Sequence, residues 1–205
     1  MKRPPVKVIL PVFLAALVVI VLAVTGHIPP TPSSNGSPLK ITIYTDFECG
    51  ACARFNSEIE PELREQYVDT GKAQIEIRLL GAMSLDSTRA AEAALCAGDQ
   101  GKFSEYTDAL FDAYRAYSEG EDIDVFSAEA LTNLAAELGL DEAAFTSCLN
   151  SKAKQAEIED NMNMAQADDV GCLPTVLVGD FKIECRQPLE IYIQAVEEAL
   201  AAQPP

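Results

Sequence analysis

Histidine is almost absent from this sequence, since His27 is the only one among 205 residues. Of the six cysteines, only Cys49 and Cys52 form a pair separated by two residues. A zinc site needs about four ligands, commonly from two such pairs or from cysteine and histidine together. Because no second pair exists and His27 lies beside a hydrophobic N-terminal stretch, the sequence argues against zinc. We predict neither a metal nor a cofactor.

Basic residues are also scarce, with 15 Lys and Arg against 32 Asp and Glu. Lys2, Arg3 and Lys7 precede the main part of the chain, which leaves 12 basic and 32 acidic residues there and a formal net charge of about −20. A surface of this sign repels the phosphate backbone, so nucleic acid is not an expected partner. We interpret the acidic surface as a source of solubility.

Acidic residues are missing from the first 45 positions, where the basic residues precede an apolar run at 8–24. This pattern predicts a membrane anchor or a signal segment at 1–26. The 17-residue run is at the lower limit for spanning a bilayer and longer than a usual signal core, which favours an uncleaved anchor. No clear Ala-x-Ala cleavage site follows it. The basic flank predicts that the rest of the chain is extracytoplasmic, in an oxidising compartment.

Residues 27–38 contain few apolar side chains and are rich in proline and serine, which predicts a linker. Residues 39–205 are long enough to form one domain with its own hydrophobic core. Internal repeats are not apparent in this region.

The pair Cys49-Gly50-Ala51-Cys52 follows a β-like run and precedes a helix-like stretch. This arrangement predicts that Cys49 lies at a helix N-terminus, where free backbone N–H groups and the helix dipole favour a thiolate. Cys52 would lie one turn along, behind Cys49, and could attack a mixed disulfide. The pair therefore predicts a redox site, and the alternative is an inert structural disulfide.

Residue patterns predict a mixed α/β order with a long helical block in the middle. Ser127 and Asp141 are predicted helix caps, Gly139 is a predicted helix stop, and Pro61 should divide the first helix. The predicted strands are 39–45, 74–80, 175–178 and 181–185, and the predicted helices are 49–67, 87–97, 102–116, 127–138, 141–149, 151–167 and 188–201.

This order resembles that of the DsbA-like thiol:disulfide oxidoreductases, which are thioredoxin folds interrupted by a helical domain. The resemblance covers most of residues 39–202 and implies a thioredoxin-like α/β fold with an all-helical insert at about 84–167. The residues that carry it are Asp46-Phe47-Glu48-Cys49-Gly50-Ala51-Cys52, Ala94-Leu95-Cys96-Ala97, Gly101-Lys102-Phe103, Tyr106, Gly171 and Leu173-Pro174-Thr175.

The resemblance also implies roles for individual residues. Cys49 matches the attacking thiol of the family and Cys52 the resolving thiol. Pro174 matches the family's cis-proline, and its neighbours Leu173 and Thr175 match substrate-binding positions. The backbone of Leu173 would then pair with an extended substrate segment. The alternative for Pro174 is a proline that merely starts a strand.

The sequence departs from strongly oxidising family members, which carry a histidine between the two cysteines. Gly50 and Ala51 occupy those positions here, and Glu48 should further oppose a negative charge on Cys49. We therefore expect a milder oxidant. Ile43 stands where many relatives place a buried carboxylate; Asp46 or Glu48 could replace that group through water, or could serve only as a surface or turn-capping acid.

Four cysteines remain outside the pair, and they allow three connectivities that the sequence does not decide. The resemblance favours a bridge between Cys96 and Cys148 within the helical block. Cys172 and Cys185 flank the predicted hairpin, so a bridge between them is plausible. The alternative in each case is a buried free thiol. Since the proline loop should bring Cys172 near the redox pair, a third redox thiol is a further hypothesis.

The expected function is donation of the Cys49–Cys52 disulfide to cysteine-containing exported proteins, with reoxidation by a quinone-linked membrane protein as the resemblance implies. The first alternative is a reductase or isomerase that uses the same residues. The second is a non-catalytic thioredoxin-fold subunit of a membrane complex. The expected location is the cytoplasmic membrane, with a single span and the domain outside. A cleaved segment would give a secreted or periplasmic protein instead.

Overall fold

The computed structural model describes residues 37–203. The predicted anchor at 1–26 and most of the predicted linker at 27–38 lie outside the described residues. Within 37–203, no helix combines the length and apolar character needed to cross a bilayer.

A four-stranded sheet with the order β2-β1-β3-β4 forms the centre of the fold. β1 pairs with β2 in parallel and with β3 antiparallel, and β3 pairs with β4 in a hairpin. Because β1 is central, six of its seven residues are buried, which suits its β-branched and apolar sequence. The strands are β1 Leu39–Thr45, β2 Ala73–Leu79, β3 Thr175–Val178 and β4 Phe181–Glu184.

The first helical region is divided, as predicted from Pro61. Helix α1, Gly50–Glu58, ends before Ile59, and the short helix α2, Glu60–Leu63, begins with Pro61 in its first turn. Proline fits there because the missing N–H would have no partner inside the helix. A π-helical turn, Arg64–Val68, then leads to β2.

Five helices lie between β2 and β3 in the chain. The predicted caps are confirmed, because Ser127 Oγ accepts from the N–H of Ala130 and Asp141 Oδ1 accepts from that of Ala144. Gly139, at φ +75°, supplies the left-handed residue after α5. The helices are α3 Leu85–Gly98, α4 Phe103–Ser118, α5 Ala128–Glu137, α6 Glu142–Ser151 and α7 Gln155–Ala167.

Two helix starts in this block differ from the prediction by two or more residues. Helix α3 begins two residues early because Ser84 caps it, accepting from the N–H groups of Asp86 and Ser87. Helix α7 begins four residues late because Lys152 adopts φ +53°, which ends α6 and turns the chain. The sequence contains no glycine or proline to mark this second turn.

Buried apolar side chains form two main clusters in the described domain. One packs the sheet against α1 and the last helix, α8 (Leu189–Ala202), with Phe55 and Tyr192 in edge-to-face contact. The other fills the helical block around the alanine-rich helix α3. Phe47, in the turn before Cys49, belongs to the second cluster, and its ring centroid is 4.7 Å from that of Phe111 on α4. The turn that carries the redox pair is thus fixed to the helical block.

Candidate redox site

Cys49 is the N-cap residue of α1, as the sequence predicted. Its backbone is extended, and its sulfur accepts a hydrogen bond from the N–H of Cys52 at 3.2 Å. A helix N-terminus leaves such N–H groups without partners inside the helix, so a negatively charged sulfur is stabilised there. The Cys49 side chain is partly exposed, and both cysteines of the pair are free thiols in this structure.

Cys52 lies one turn further into α1 and is fully buried. Burial raises its pKa well above the ordinary value, and its hydrogen bond with Cys49 adds to this effect. The two thiols therefore differ strongly although they are close in sequence. A partner can approach Cys49, whereas Cys52 is protected from solvent and stays protonated.

The pKa of Cys49 is lowered from 9.0 to about 7. The largest cause is the hydrogen bond from the Cys52 side chain, and the backbone N–H groups of Cys52 and Ala51 add to it, while partial burial opposes them. The negative charge of Asp46 also raises this pKa. The sequence predicts that Glu48 opposes a negative charge on Cys49, whereas the carboxylate among the main causes of the Cys49 pKa is that of Asp46.

Asp46 is a buried residue that holds the redox turn in place. Its Oδ1 accepts from the N–H of Glu48 at 3.0 Å, and its Oδ2 accepts from the N–H of Ala82 at 2.8 Å and the hydroxyl of Ser87 at 2.6 Å. The side chain thus has the predicted turn-capping role, but it is only 1% exposed and is not a surface acid. These bonds join the turn to the start of the helical block.

The proline loop lies against Cys49. The peptide bond between Leu173 and Pro174 is cis, and the Cys49 thiol donates a weak hydrogen bond to the carbonyl oxygen of Leu173 at 3.8 Å. Leu173 is partly exposed. The structure therefore brings together Cys49, Cys52, Leu173 and Pro174, which are 121 or more positions apart across the two segments.

Thr175 is placed differently from a substrate contact. Its side chain is fully buried at the start of β3, and its hydroxyl donates to the carbonyl oxygen of Cys172 at 2.5 Å. A side chain in this position supports the loop from inside. The placement favours Leu173 over Thr175 as the residue that meets a partner.

The remaining cysteines form two disulfides, Cys96–Cys148 and Cys172–Cys185. The first joins α3 to α6 within the helical block. The second joins the proline loop to the end of the β-hairpin, so Cys172 is not a free thiol in this structure. Within 37–203, no three His, Cys, Asp or Glu side chains are grouped to hold a metal ion.

Sequence reasoning missed two groups that hold the redox turn. Tyr114 on α4 donates its hydroxyl to the carbonyl oxygen of Glu48 at 2.7 Å. The hydroxyl of Ser84 donates to the carboxylate of Glu48. Neither contact leaves a local pattern, because the partners are 66 and 36 positions apart in sequence.

A thioredoxin family model, Thioredoxin_4, matches residues 34–198. Among curated proteins, the chain is similar to a probable disulfide bond formation protein D from Bacillus anthracis, with 27% identity over 148 residues. That match covers 70% of this chain and 66% of the relative, so it spans slightly less than two thirds of the relative's length.

Solved structures show the same fold. Oxidised BdbD from Bacillus subtilis superposes with a TM-score of 0.69 at 19% identity, covering 85% of this chain and 94% of that one. DsbA from Chlamydia trachomatis gives a TM-score of 0.66 at 24% identity, covering 87% and 95%. The predicted thioredoxin-like α/β fold is thereby confirmed. The relatives to which the chain is similar are a disulfide bond formation protein and DsbA proteins, and the chain itself belongs to the thioredoxin family.

Proposed function

We propose that this protein donates the disulfide of Cys49–Cys52 to cysteine-containing exported proteins. The observation that carries the proposal is the asymmetry of the pair: Cys49 is partly exposed with a pKa of about 7, whereas Cys52 is fully buried. An incoming thiolate can therefore reach only one sulfur of the oxidised pair. Disulfide exchange depends on access and on the pKa of the leaving thiol, so this asymmetry directs the reaction.

The exchange would proceed in two steps. A substrate thiolate attacks Cys49 Sγ, the Cys49–Cys52 bond breaks, and Cys52 leaves as a thiolate that takes up a proton. A second substrate thiolate then attacks the substrate sulfur of the mixed disulfide and releases Cys49. A thiol with a pKa of about 7 is a good leaving group at neutral pH. The substrate gains a disulfide and the protein keeps two thiols.

The proline loop supports this function because it offers backbone to a substrate. The carbonyl oxygen of Leu173 is 3.8 Å from Cys49 Sγ, and the residue is partly exposed. An extended segment that pairs with this backbone would carry its cysteine past Cys49. We assign binding to Leu173, with Pro174 shaping the loop and Thr175 supporting it.

We place this reaction on the extracytoplasmic side of the cytoplasmic membrane. The support is the apolar run at 8–24 with its basic flank, and the two disulfides outside the redox pair, which suit an oxidising compartment. Residues 1–26 would be a single-span anchor, or a signal segment if they are cleaved. The reoxidant would be a quinone-linked membrane protein, as in the family that the chain resembles.

A reductase or isomerase is the second candidate, and a specific observation favours it. The Cys49 pKa of about 7 is close to that of thioredoxin, about 7, and far from the value of about 3.5 in strongly oxidising DsbA. A non-catalytic subunit is disfavoured because Cys49 is accessible and its pKa is lowered.

Two measurements on the full-length protein in detergent test the proposal. The first is the redox potential of the pair in glutathione buffers, with Cys49→Ser as the inactive control. The second is the rate at which the oxidised protein forms a disulfide in a reduced two-cysteine peptide. Rapid donation supports the proposal. Failure to oxidise the peptide, together with rapid reduction of a disulfide-bonded peptide, would establish the reductase instead.

A further inference from the structure

The Cys172–Cys185 disulfide, which joins the proline loop to the hairpin, lies near Cys49. Cys49 Sγ is 3.8 Å from the carbonyl oxygen of Leu173, and Cys172 Sγ is 3.7 Å from the same oxygen. Cys172 is disulfide-bonded and has no proton to donate, so its approach is a contact and not a hydrogen bond. Because both sulfurs touch one atom, they are at most about 7.5 Å apart.

The two disulfides outside the pair differ in their surroundings. Cys96 is 1% exposed and belongs to the core of the helical block, while its partner Cys148 is partly exposed on α6. Cys172 and Cys185 are both partly exposed, and they join a loop to the end of a hairpin. Only the Cys172–Cys185 bridge therefore combines an accessible sulfur with a position beside Cys49.

We propose that Cys172–Cys185 is a second redox couple that exchanges its disulfide with the Cys49–Cys52 pair. This inference rests on the proposed function of Cys49 as an exchanging thiol. The reduced pair left after one donation would pass its two electrons to the hairpin disulfide. The protein would then recover an oxidised Cys49–Cys52 pair without an external oxidant and would hold two disulfide equivalents per molecule.

The exchange balances within the chain. The Cys49 thiolate attacks Cys172 Sγ, a Cys49–Cys172 bond forms, and the Cys172–Cys185 bond breaks with Cys185 leaving as a thiolate that takes up a proton. Cys52 loses its proton and attacks Cys49 Sγ, which restores Cys49–Cys52 and releases Cys172 as a thiol. The first pair is oxidised by two electrons and the second is reduced by two.

The loop must move for the two sulfurs to meet, since a disulfide bond is about 2 Å long. One partly buried tie to the hairpin, from the Thr175 hydroxyl to the carbonyl oxygen of Cys172, would have to break. The other ties precede Cys172: the N–H of Gly171 donates to Glu184 Oε1 at 3.0 Å, and Lys182 donates to the carbonyl oxygen of Asp169. Gly171 and Asp169 are exposed. Exposed hydrogen bonds of this kind open more readily than those of a core, so the segment before Leu173 can supply the movement.

A Cys52→Ser variant of the full-length protein tests the first step, because serine cannot complete the exchange and the intermediate is retained. The variant is incubated at pH 8 with the Cys172–Cys185 disulfide intact, quenched with acid and mapped by peptide mass spectrometry. We expect a Cys49–Cys172 cross-link in the monomer, formed at the same rate after tenfold dilution. The Cys96–Cys148 bridge is the matched control and should remain intact.

The proposal is overturned if the variant keeps Cys172–Cys185 intact, or if cross-links form only between molecules. Reaction of Cys49 with glutathione disulfide in a parallel sample separates this failure from failure of the proposed function. If Cys49 forms a mixed disulfide with glutathione but never attacks Cys172, the donor function stands and the second couple does not exist.

A second measurement avoids dependence on the trapping variant. In glutathione, reduction of Cys172–Cys185 should be at least tenfold slower in Cys49→Ser than in the wild-type protein, because Cys49 would normally carry the electrons. Reduction of Cys96–Cys148 should proceed equally in both proteins. Equal rates at Cys172–Cys185 would contradict the exchange.

Discussion

Replacement of Ala51 by histidine is the most direct test of how the site sets its redox potential. Ala51 is partly exposed in the first turn of α1, and its N–H already stabilises the Cys49 sulfur. An imidazolium at this position would add a positive charge beside the thiolate. Because an opposite charge nearby lowers an acidic pKa by about 1–3 units, we expect the Cys49 pKa to fall from about 7 to about 5.

The expected redox potential of the wild-type protein follows from the pKa of Cys49. A lowered thiol pKa stabilises the reduced pair fully above pH 9, and this gain is lost as the pH falls through 7. At pH 7, the shift from 9.0 to about 7 is worth at most about 0.4 kcal/mol, and less because water screens the partly exposed sulfur. A thiol of pKa about 3.5 would gain about 4 kcal/mol more, or about 90 mV. With about −120 mV for DsbA as reference, the expected potential is about −210 mV.

The histidine variant should therefore be a stronger oxidant. A pKa of about 5 stabilises the thiolate at pH 7 by about 2 kcal/mol more than the present value, which corresponds to about 40 mV for a two-electron couple. Ala51→Gln is the matched control, since it is of similar size without a positive charge. It should leave the potential within about 10 mV of that of the wild-type protein.

Two assays on each protein decide the result. The ultraviolet absorbance of the thiolate against pH gives the pKa of Cys49, and equilibration with glutathione at pH 7 gives the potential. The reasoning is refuted if the pKa falls by two units while the potential stays unchanged, because the thiolate would then not control the reduced state. A Cys49 pKa near 9 in the wild-type protein would refute the lowered pKa from which the potential is worked out.

Three further changes probe other parts of the site. Cys52→Ala removes the main hydrogen bond to Cys49, so half-maximal alkylation of Cys49 should move from about pH 7 toward 9; an unchanged profile would mean that the backbone N–H groups suffice. Tyr114→Phe deletes one hydrogen bond at the redox turn, so it should lower the free energy of unfolding in urea by about 1 kcal/mol and slow disulfide exchange at Cys49. If neither the stability nor the exchange rate changes, Tyr114 does not position the turn. Replacing Cys96 and Cys148 together by alanine removes the bridge that closes a loop with a sequence separation of 52, which should cost about 4 kcal/mol of stability. The Cys49 pKa should stay the same, and a changed pKa would mean that this bridge and the redox site are coupled.

The parts of the fold that were predictable have local causes. The alternation and β-branching of 39–45 predict β1 with the bounds that the structure has, because β-branched residues fit the pleated surface of a strand. Cys49 was expected at a helix start because small residues follow a strand there, and the structure makes it the N-cap. Caps such as Ser127 and Asp141 act within three residues of themselves, so the sequence carries their full signal.

The helical boundaries that failed depended on the surroundings of the chain. Lys152 adopts a left-handed conformation that a lysine does not favour by itself, so nothing local marked the end of α6. The family resemblance implies a substrate contact for Thr175, whereas its side chain is buried where β3 pairs with β1. Only for Lys152 did tertiary structure override the residue's own conformational preference.

The electrostatics of the site were the least predictable, since they depend on contacts between distant segments. Glu48 is adjacent to Cys49 in sequence and is expected to oppose a negative charge there, yet its carboxylate accepts a hydrogen bond from Ser84. Asp46, three residues before Cys49, is buried and acts on it more directly. The acid closer to Cys49 in sequence is therefore not the one with the stronger effect on the Cys49 pKa.

The helical block therefore has a role beyond filling space in the domain. The backbone and side chains on both sides of Cys49 are held by groups from this block and the loop that leads into it: Ala82 and Ser87 bind Asp46, and Tyr114 binds the carbonyl of Glu48. These bonds fix the turn without contacting the reacting sulfur. Because Ala82 and Ser87 hold the Asp46 carboxylate, and this carboxylate raises the Cys49 pKa, the block acts on the Cys49 pKa through Asp46. An insertion far from Cys49 in sequence can thus tune its chemistry while the CxxC residues stay the same.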